Sequence, residues 1–554
     1  MTRPSREGAA RALARVAPLA VSTTRHFPLA GGVLALADRD GLVDAFAFGQ
    51  ADVEHGVPMS AARLFEIGSI SKLFTSLVID RLVAQGRLAY EDAVGPLLAW
   101  AGLSPSMARA RVVELLTHTA GLPLGSDSLA DDAGELWASR ETVAADVEPP
   151  RFHYSNLGYL VLGEVARTLT GRRLPELVAD WLLGPLGMET AVAEIAWGDR
   201  GALATGYGPA RPDRPWVPGD SIAPATYFET DSAAGNVAAS AADMARLVAA
   251  LLRAAADESG GAISPATFAR LTTTLAPAGE PTHTPAGTLP VTESRYGLGL
   301  NVERIGGNLC VTHGGGMVGY STFVLVDLGL GLGVVVLTSA NGDTLASHLL
   351  ARAAHAQLVA EATGVVASLA DLDPAVRGAF AGAGAFVSDV GEALEVVAGD
   401  EGARVRYRGR EGALYATPTG RFVTDHPDLR PFHLDHRAEG RWTHGPTTFS
   451  PDEAPPPPAT GAAVRPALAG HYRSYSPWYP EFRVVARAGR LYLTAPGGVE
   501  APDEECALVE VAPGTYRVGE EPWRPERLVA GPVRDGEVVA VVRDGLCYSR
   551  VFSA

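Results

Sequence analysis

Apolar positions along this chain recur with two different periods, and the change of period divides it. Up to about residue 365, long apolar runs alternate with segments of helical spacing. Gly31 to Ala37 and Leu42 to Phe48 flank Asp38-Arg39-Asp40-Gly41, polar and glycine punctuation that predicts a β-hairpin. Leu73 to Ile79 predicts a buried helix that starts near Ser69 and stops at Gly86. Residues 96–200 read as helices and loops. Ser240 stands as N-cap to a helix over Met244 to Leu252. Strand-like runs return at Tyr296 to Val302, Leu309 to Thr312, Ser321 to Val326 and Gly333 to Thr338, and Thr344 to Ala362 reads as a closing helix. Strands at both ends with helices between them predict an α+β domain on one antiparallel sheet.

Beyond residue 365 the helical spacing gives way to short alternating runs separated by Gly and Pro turns. This pattern repeats. Ala381-Gly382 precedes Leu394-Glu395-Val396-Val397 at the offset with which Ala469-Gly470 precedes Phe482-Arg483-Val484-Val485. Arg404 to Tyr407 is answered by Arg490 to Leu493, and Arg421-Phe422-Val423 by Tyr516-Arg517-Val518. Roughly eight short runs per copy suffice for a small antiparallel barrel. Pro455 to Pro458, between the copies, reads as a stiff extended linker. The expected domains are residues 1–365, 366–453 and 462–554: an α+β domain followed by two small antiparallel β-barrels.

Three short motifs carry candidate chemistry. Ser69-Ile70-Ser71-Lys72 sets a hydroxyl and an amine three residues apart at a helix start, which puts both on one face. A serine is a weak nucleophile until a neighbouring base or cation activates it. Tyr154-Ser155-Asn156 stands before a second apolar helix-like run, Leu157 to Gly163. His313-Gly314-Gly315-Gly316 lies between two apolar strands and reads locally as a glycine-rich turn. Singly, such patterns recur by chance. In this order they resemble the serine β-lactamase and penicillin-binding-protein superfamily. The closer likeness is to the branch that holds class C β-lactamases, D-alanyl-D-alanine carboxypeptidases, D-aminopeptidases and esterases. Phe65 to Gly68, Leu115 to Leu122 and His313 to Tyr320 match as well, so the resemblance covers about residues 25–360. The C-terminal repeats look like the two lipocalin-like barrels of D-aminopeptidases in that superfamily.

The resemblance implies a role for each residue. Ser69 would be the nucleophile of an acyl-enzyme, Lys72 would hold or shuttle its proton, and Tyr154 would relay that proton to the leaving group. Asn156 would position Lys72 and bind the acyl side chain. His313 stands where class C β-lactamases and most penicillin-binding proteins have lysine. Histidine is only partly charged at pH 7 and can hydrogen-bond Tyr154 or the leaving group instead, so β-lactam hydrolysis becomes a lesser expectation. The amides of Ser69 and Gly316 would form an oxyanion hole, and Gly314, Gly315 and Gly316 would let the strand edge meet substrate without a Cβ clash. His118 falls in a loop expected to be structural. His283 has no second ligand at metal spacing, and its loop, Ala276 to Thr292, is expected to rim the site.

Composition narrows the remaining classes. The net charge of -17 argues against nucleic acid or an anionic membrane as partner. Cys310, Cys506 and Cys547 lack metal-ligand spacing, so no metal is expected, and Cys310 reads as a small core residue. Arg11 and Arg15 interrupt the apolar stretch from Ala9 to Val21, which favours an amphipathic first helix over an export signal. No run reaches the ~18 uncharged apolar residues of a membrane span. The expectation is a cytoplasmic, cofactor-free serine hydrolase of D-amino-acyl peptides or amides, or of small esters. Its partner would be a small-molecule or short-peptide substrate, and no motif speaks to oligomeric state. The alternatives are acyl transfer to an amine, as in peptide cyclases of the penicillin-binding-protein type, and a non-catalytic ligand-binding relative.

Overall fold

The computed structural model describes residues 3–125, 131–145, 150–226, 232–285, 287–365, 369, 382–400, 402–452, 466–502 and 504–551. The chain divides into two compact units, Met1–Gly208 with Ile222–Asp371, and Pro209–Ser221 with Leu372–Ala554.

In the first unit, Arg39-Asp40 turns β1 (Leu29–Asp38) into β2 (Gly41–Asp52), and β3 (Val57–Pro58) pairs with the end of β2. Five strands return from the far end of the segment: β4 (Val291–Tyr296), β5 (Asn301–Ile305), β6 (Asn308–Met317), β7 (Tyr320–Asp327) and β8 (Leu332–Ala340). The sheet order is β3-β2-β1-β8-β7-β6-β5-β4. Val33 sits opposite Leu337 and Ala35 opposite Val335, so the two ends of the segment close one antiparallel sheet. β1, β7 and β8 are buried at every position, which requires cover on both faces. Helices supply it: α1 (Arg6–His26), α4 (Ala241–Ala255) and α5 (Ala346–Thr363) all pack on these central strands. α1 is amphipathic, burying Ala9, Leu13, Val16 and Ala20 while Arg11 and Arg15 pair with Glu361. α2 (Ser71–Ala84) is buried over most of its length, and α3 (Asn156–Thr170) ends at Gly171 in the left-handed conformation. Ser240 caps α4, as its position in the sequence predicts. Among the described residues no helix is long and apolar enough to cross a membrane.

Two predicted elements differ from the observed ones. Tyr296 to Val302 is not a single strand, because Gly297 and Gly299 (φ +83°) form the turn between β4 and β5. His313 to Gly316 is not a turn. Gly314 pairs with Phe323, Gly315 with Thr322 and Gly316 with Ser321, so β6 runs on to Met317 and the turn falls at Val318-Gly319. These glycines answer to crowding across the strand: a Cβ on Gly315 would stand 1.9 Å from the Ile67 carbonyl oxygen.

The second unit holds two closed eight-stranded barrels. The sequence repeat maps strand onto strand. Second strands are Ala393–Val397 and Glu481–Arg487, third strands Ala403–Tyr407 and Arg490–Thr494, fifth strands Phe422–Thr424 and Thr515–Val518. Leu394, Val405, Trp442 and Phe449 pack the first interior, and Tyr472, Phe482, Leu493 and Tyr548 the second. The excursion Pro209–Ser221 belongs to this unit through Asp220, which pairs with Arg214 and Arg430, and the Asp213 carbonyl, which accepts from Arg483 at 2.8 Å. Ala381 and the Pro455 to Pro458 run lie outside the described residues.

Candidate active site

The site begins at Gly68, whose φ of +55° suits glycine. A Cβ there would stand 2.7 Å from the Gly316 nitrogen. The turn Gly68–Ile70 therefore rests directly on β6 and presents half-buried Ser69 at the head of α2. Thr322 Oγ1 donates to the Ile67 carbonyl at 2.9 Å and fastens the same turn from β7. One residue earlier again, burial alone pushes the Glu66 carboxyl up to about 8.

Lys72 is fully buried one helical turn beyond Ser69. Its Nζ donates to Ser69 Oγ at 2.9 Å, to Asn156 Oδ1 at 2.7 Å and to the Ala234 carbonyl at 2.9 Å. An ammonium has three donors, and each has an acceptor. The segment carrying Ala234 is held in place by α2 itself. Thr75 Oγ1 donates to the Ala233 carbonyl at 2.7 Å, and the Val237 amide donates to Ser71 Oγ at 3.1 Å. Sequence reasoning missed Ala234, because a backbone carbonyl leaves no side-chain signal.

Tyr154 and Asn156 arrive on the extended segment that enters α3. Ser155 caps that helix, accepting from the Gly158 amide at 3.1 Å and donating to the Pro123 carbonyl at 2.6 Å, so that Asn156 falls in the first turn. The Tyr154 ring lies 4.9 Å from Lys72 Nζ and 4.3 Å from the His118 ring. His118 shapes this segment. It sits at φ +56°, its carbonyl accepts from the His153 amide at 2.8 Å, and its Nδ1 accepts from the Ser155 amide at 3.1 Å. Burial holds its pKa well below the usual histidine value, and Lys72 and His313 push the same way. His118 is a neutral support for Tyr154.

His313, on β6, is buried with both nitrogens engaged. Nδ1 lies 2.5 Å from the Gly314 carbonyl oxygen and Nε2 lies 2.8 Å from the Tyr296 hydroxyl. Burial lowers its pKa below the ordinary value, Lys72 adds to that, and Glu280 opposes it. In the structure the two ring nitrogens face Gly314 and Tyr296. Tyr296 escaped the sequence reading. Its signal is a phenol inside an apolar run beside Gly297, since a buried tyrosine hydroxyl needs a partner.

Two other clusters bear on metals. His283 is not isolated, because its ring lies 6.3 Å from that of His348. Cys310, Asp327 and His355 are the one group of three metal-ligating residues found among the described residues. There His355 Nε2 lies 2.8 Å from Asp327 Oδ2, and Asp327 also accepts from Asn308 and the Leu330 amide, while His355 Nδ1 is buried without a partner.

The chain belongs to the Beta-lactamase family, whose sequence profile matches residues 23–358. Unguisins hydrolase ungD' of Aspergillus campestris is 27% identical over 52% of this chain and 55% of its own length. D-aminopeptidase of Cereibacter sphaeroides is 28% identical over 58% of this chain and 60% of its own. The chain thus spans little more than half the length of these relatives. D-amino acid amidase from Ochrobactrum anthropi SV3, a solved structure, shares the fold with a TM-score of 0.52 at 19% identity, covering 64% of this chain and 99% of that one.

Proposed function

We propose that this protein is a serine acyl hydrolase that works through an acyl-enzyme at Ser69 on D-amino-acyl peptides or amides, or on small esters. The observation that carries this reading is the 2.9 Å contact of Lys72 Nζ with Ser69 Oγ, in a cage completed by Asn156 and Ala234. As the neutral amine, Lys72 keeps two N–H donors for Asn156 and Ala234 and turns its lone pair to Ser69 Oγ, from which it takes the proton as Oγ attacks a carbonyl. The proton passes through Lys72 and Tyr154 to the departing amine or alcohol, and water then cleaves the acyl-enzyme by the reverse route. The amides of Ser69 and Gly316 stabilise the oxyanion, each donor contributing roughly 3 kcal/mol. A neutral His313 offers no fixed cation to a leaving-group carboxylate, which supports amides and esters over β-lactams. Likeness to a D-aminopeptidase supports the D-amino-acyl class.

The test is intact-mass spectrometry with a fluorophosphonate, alongside turnover of D- and L-amino acid amides and p-nitrophenyl esters. One adduct on Ser69 is expected in the native protein and none in Ser69→Ala, whose turnover falls by roughly four orders of magnitude. Labelling or native-like turnover by folded Ser69→Ala removes Ser69 as the nucleophile.

A further inference from the structure

Tyr296 is fully buried at the end of β4, with its ring 4.7 Å from His118 and 6.3 Å, edge-on, from Tyr154. Its hydroxyl meets His313 Nε2 at 2.8 Å. A carbonyl oxygen only accepts, so His313 Nδ1 carries the proton that goes to Gly314, and in the neutral ring that burial favours Nε2 has a lone pair to offer. Tyr296 is therefore the donor. Burial first, and then Tyr159, Tyr154 and Glu280, hold its phenol protonated well above the usual tyrosine range.

Several charged or titratable groups face His313. Lys72 comes from α2, Glu280 from the segment before β4, His118 from the loop after residue 116, and His348 from α5. Of these, Glu280 favours a charged ring, and its carboxylate accepts from Asn301 Nδ2 at 2.5 Å. A donor aimed at Nε2 favours the neutral ring and turns it toward β4.

We propose that Tyr296 is a positioning residue that locks His313 as the neutral Nδ1–H tautomer, and so sets the site against leaving groups that carry a carboxylate. The proposal rests on the acyl-enzyme reading above. Without the hydroxyl, Nε2 is free to take a proton from water and to present an N–H donor with positive charge at the β6 edge. Tyr296 is then a specificity determinant that never touches substrate.

The test compares the full chain with Tyr296→Phe on a matched ester pair, 4-acetoxybenzoate and its methyl ester, from pH 5 to 8. In Tyr296→Phe the acidic limb of kcat/KM moves up toward the ordinary histidine range, about 6.5. The carboxylate-to-neutral ratio at pH 5.5 rises about tenfold, through KM more than kcat. A uniform loss of rate at all pH values with an unchanged ratio overturns the proposal. Should Tyr296→Phe fail to fold, nitrogen NMR of the native protein decides, with His313 assigned by its loss in His313→Gln. Protonated Nδ1 and unprotonated Nε2 across this range are expected, and a protonated Nε2 at pH 7 overturns the lock. Absence of fluorophosphonate labelling at Ser69 would sink the acyl-enzyme reading and leave the tautomer measurement standing.

Discussion

At the scale of single residues, Lys72 joins three parts of the chain that are distant in sequence. Ser69 is its own helical neighbour, Asn156 opens α3, and Ala234 lies in a segment tied back to α2. Lys72 and Tyr154 face each other at 4.9 Å and should act as one unit. Lys72→Ala and Tyr154→Phe are each expected to lower the acylation rate by roughly three orders of magnitude, and the double variant by little more. Stopped-flow acylation with a p-nitrophenyl ester would measure this, and additive losses would mean the two side chains act separately. Glu66 makes a thermodynamic prediction. The unfolded chain releases this proton above about 4.5, whereas the folded chain keeps it to about 8, so stability falls as pH rises between those values. Glu66→Gln should gain roughly 2–4 kcal/mol at pH 7 and nothing near pH 4, read from denaturant midpoints. Ser69, Lys72, Tyr154 and Asn156 could be named as candidates beforehand because three motifs, each weak alone, stand in one family's order, and the structure brings them together around Lys72. Ala234 and Tyr296 were not, since one acts through its backbone and the other gains meaning only from what folding sets beside it.

Among the elements, β6 carries the closest packing. Its glycines read as a turn because residues without side chains leave no alternation to count, yet the register with β7 continues through all three. A Cβ on Gly315 would meet the Ile67 carbonyl oxygen at 1.9 Å and Thr322 Oγ1 at 2.3 Å, both part of the fastening that presents Ser69. A Cβ on Gly314 would meet the His348 ring at 2.9 Å, a side chain rather than backbone. Gly315→Ala should therefore cost about 3 kcal/mol or more and abolish labelling of Ser69, while Gly314→Ala should cost about 1 kcal/mol and keep it. Thermal melts with fluorophosphonate labelling would separate the two, and equal tolerance would mean the turn at Gly68 is not seated on β6 as described. The barrels were easier to foresee than this strand, because a repeated period survives even where single runs are weak.

Over the whole molecule, burial imposes one titration behaviour on both units. In the first, His118, His313 and His348 are pushed below the ordinary histidine value, chiefly by burial, His348 to about 3. In the second, His433 and His444 are lowered for the same reason, His444 to about 4. Below about 6.5 the unfolded chain binds these protons and the folded chain does not, so each such histidine removes about 1.4 kcal/mol of stability per pH unit as pH falls. Glu66 in the first unit and Asp544 in the second, raised to about 8 and about 6, act in the opposite sense, since folding holds their protons where the unfolded chain has released them. Asp80 and Asp327, held low, contribute only when pH approaches their unfolded value of 3.8. Between pH 6.5 and 5 the lowered histidines, His436 in the second unit among them, outnumber the raised groups in each unit even when exposed His55 in the first is counted with Glu66. Calorimetry is expected to show the melting temperature falling across that interval, and His348→Gln flattening the slope of the first unit. A melting temperature that is flat or rises as pH falls from 6.5 to 5 would mean that these rings are charged in the fold, and the neutral His313 on which the specificity argument depends would go with them.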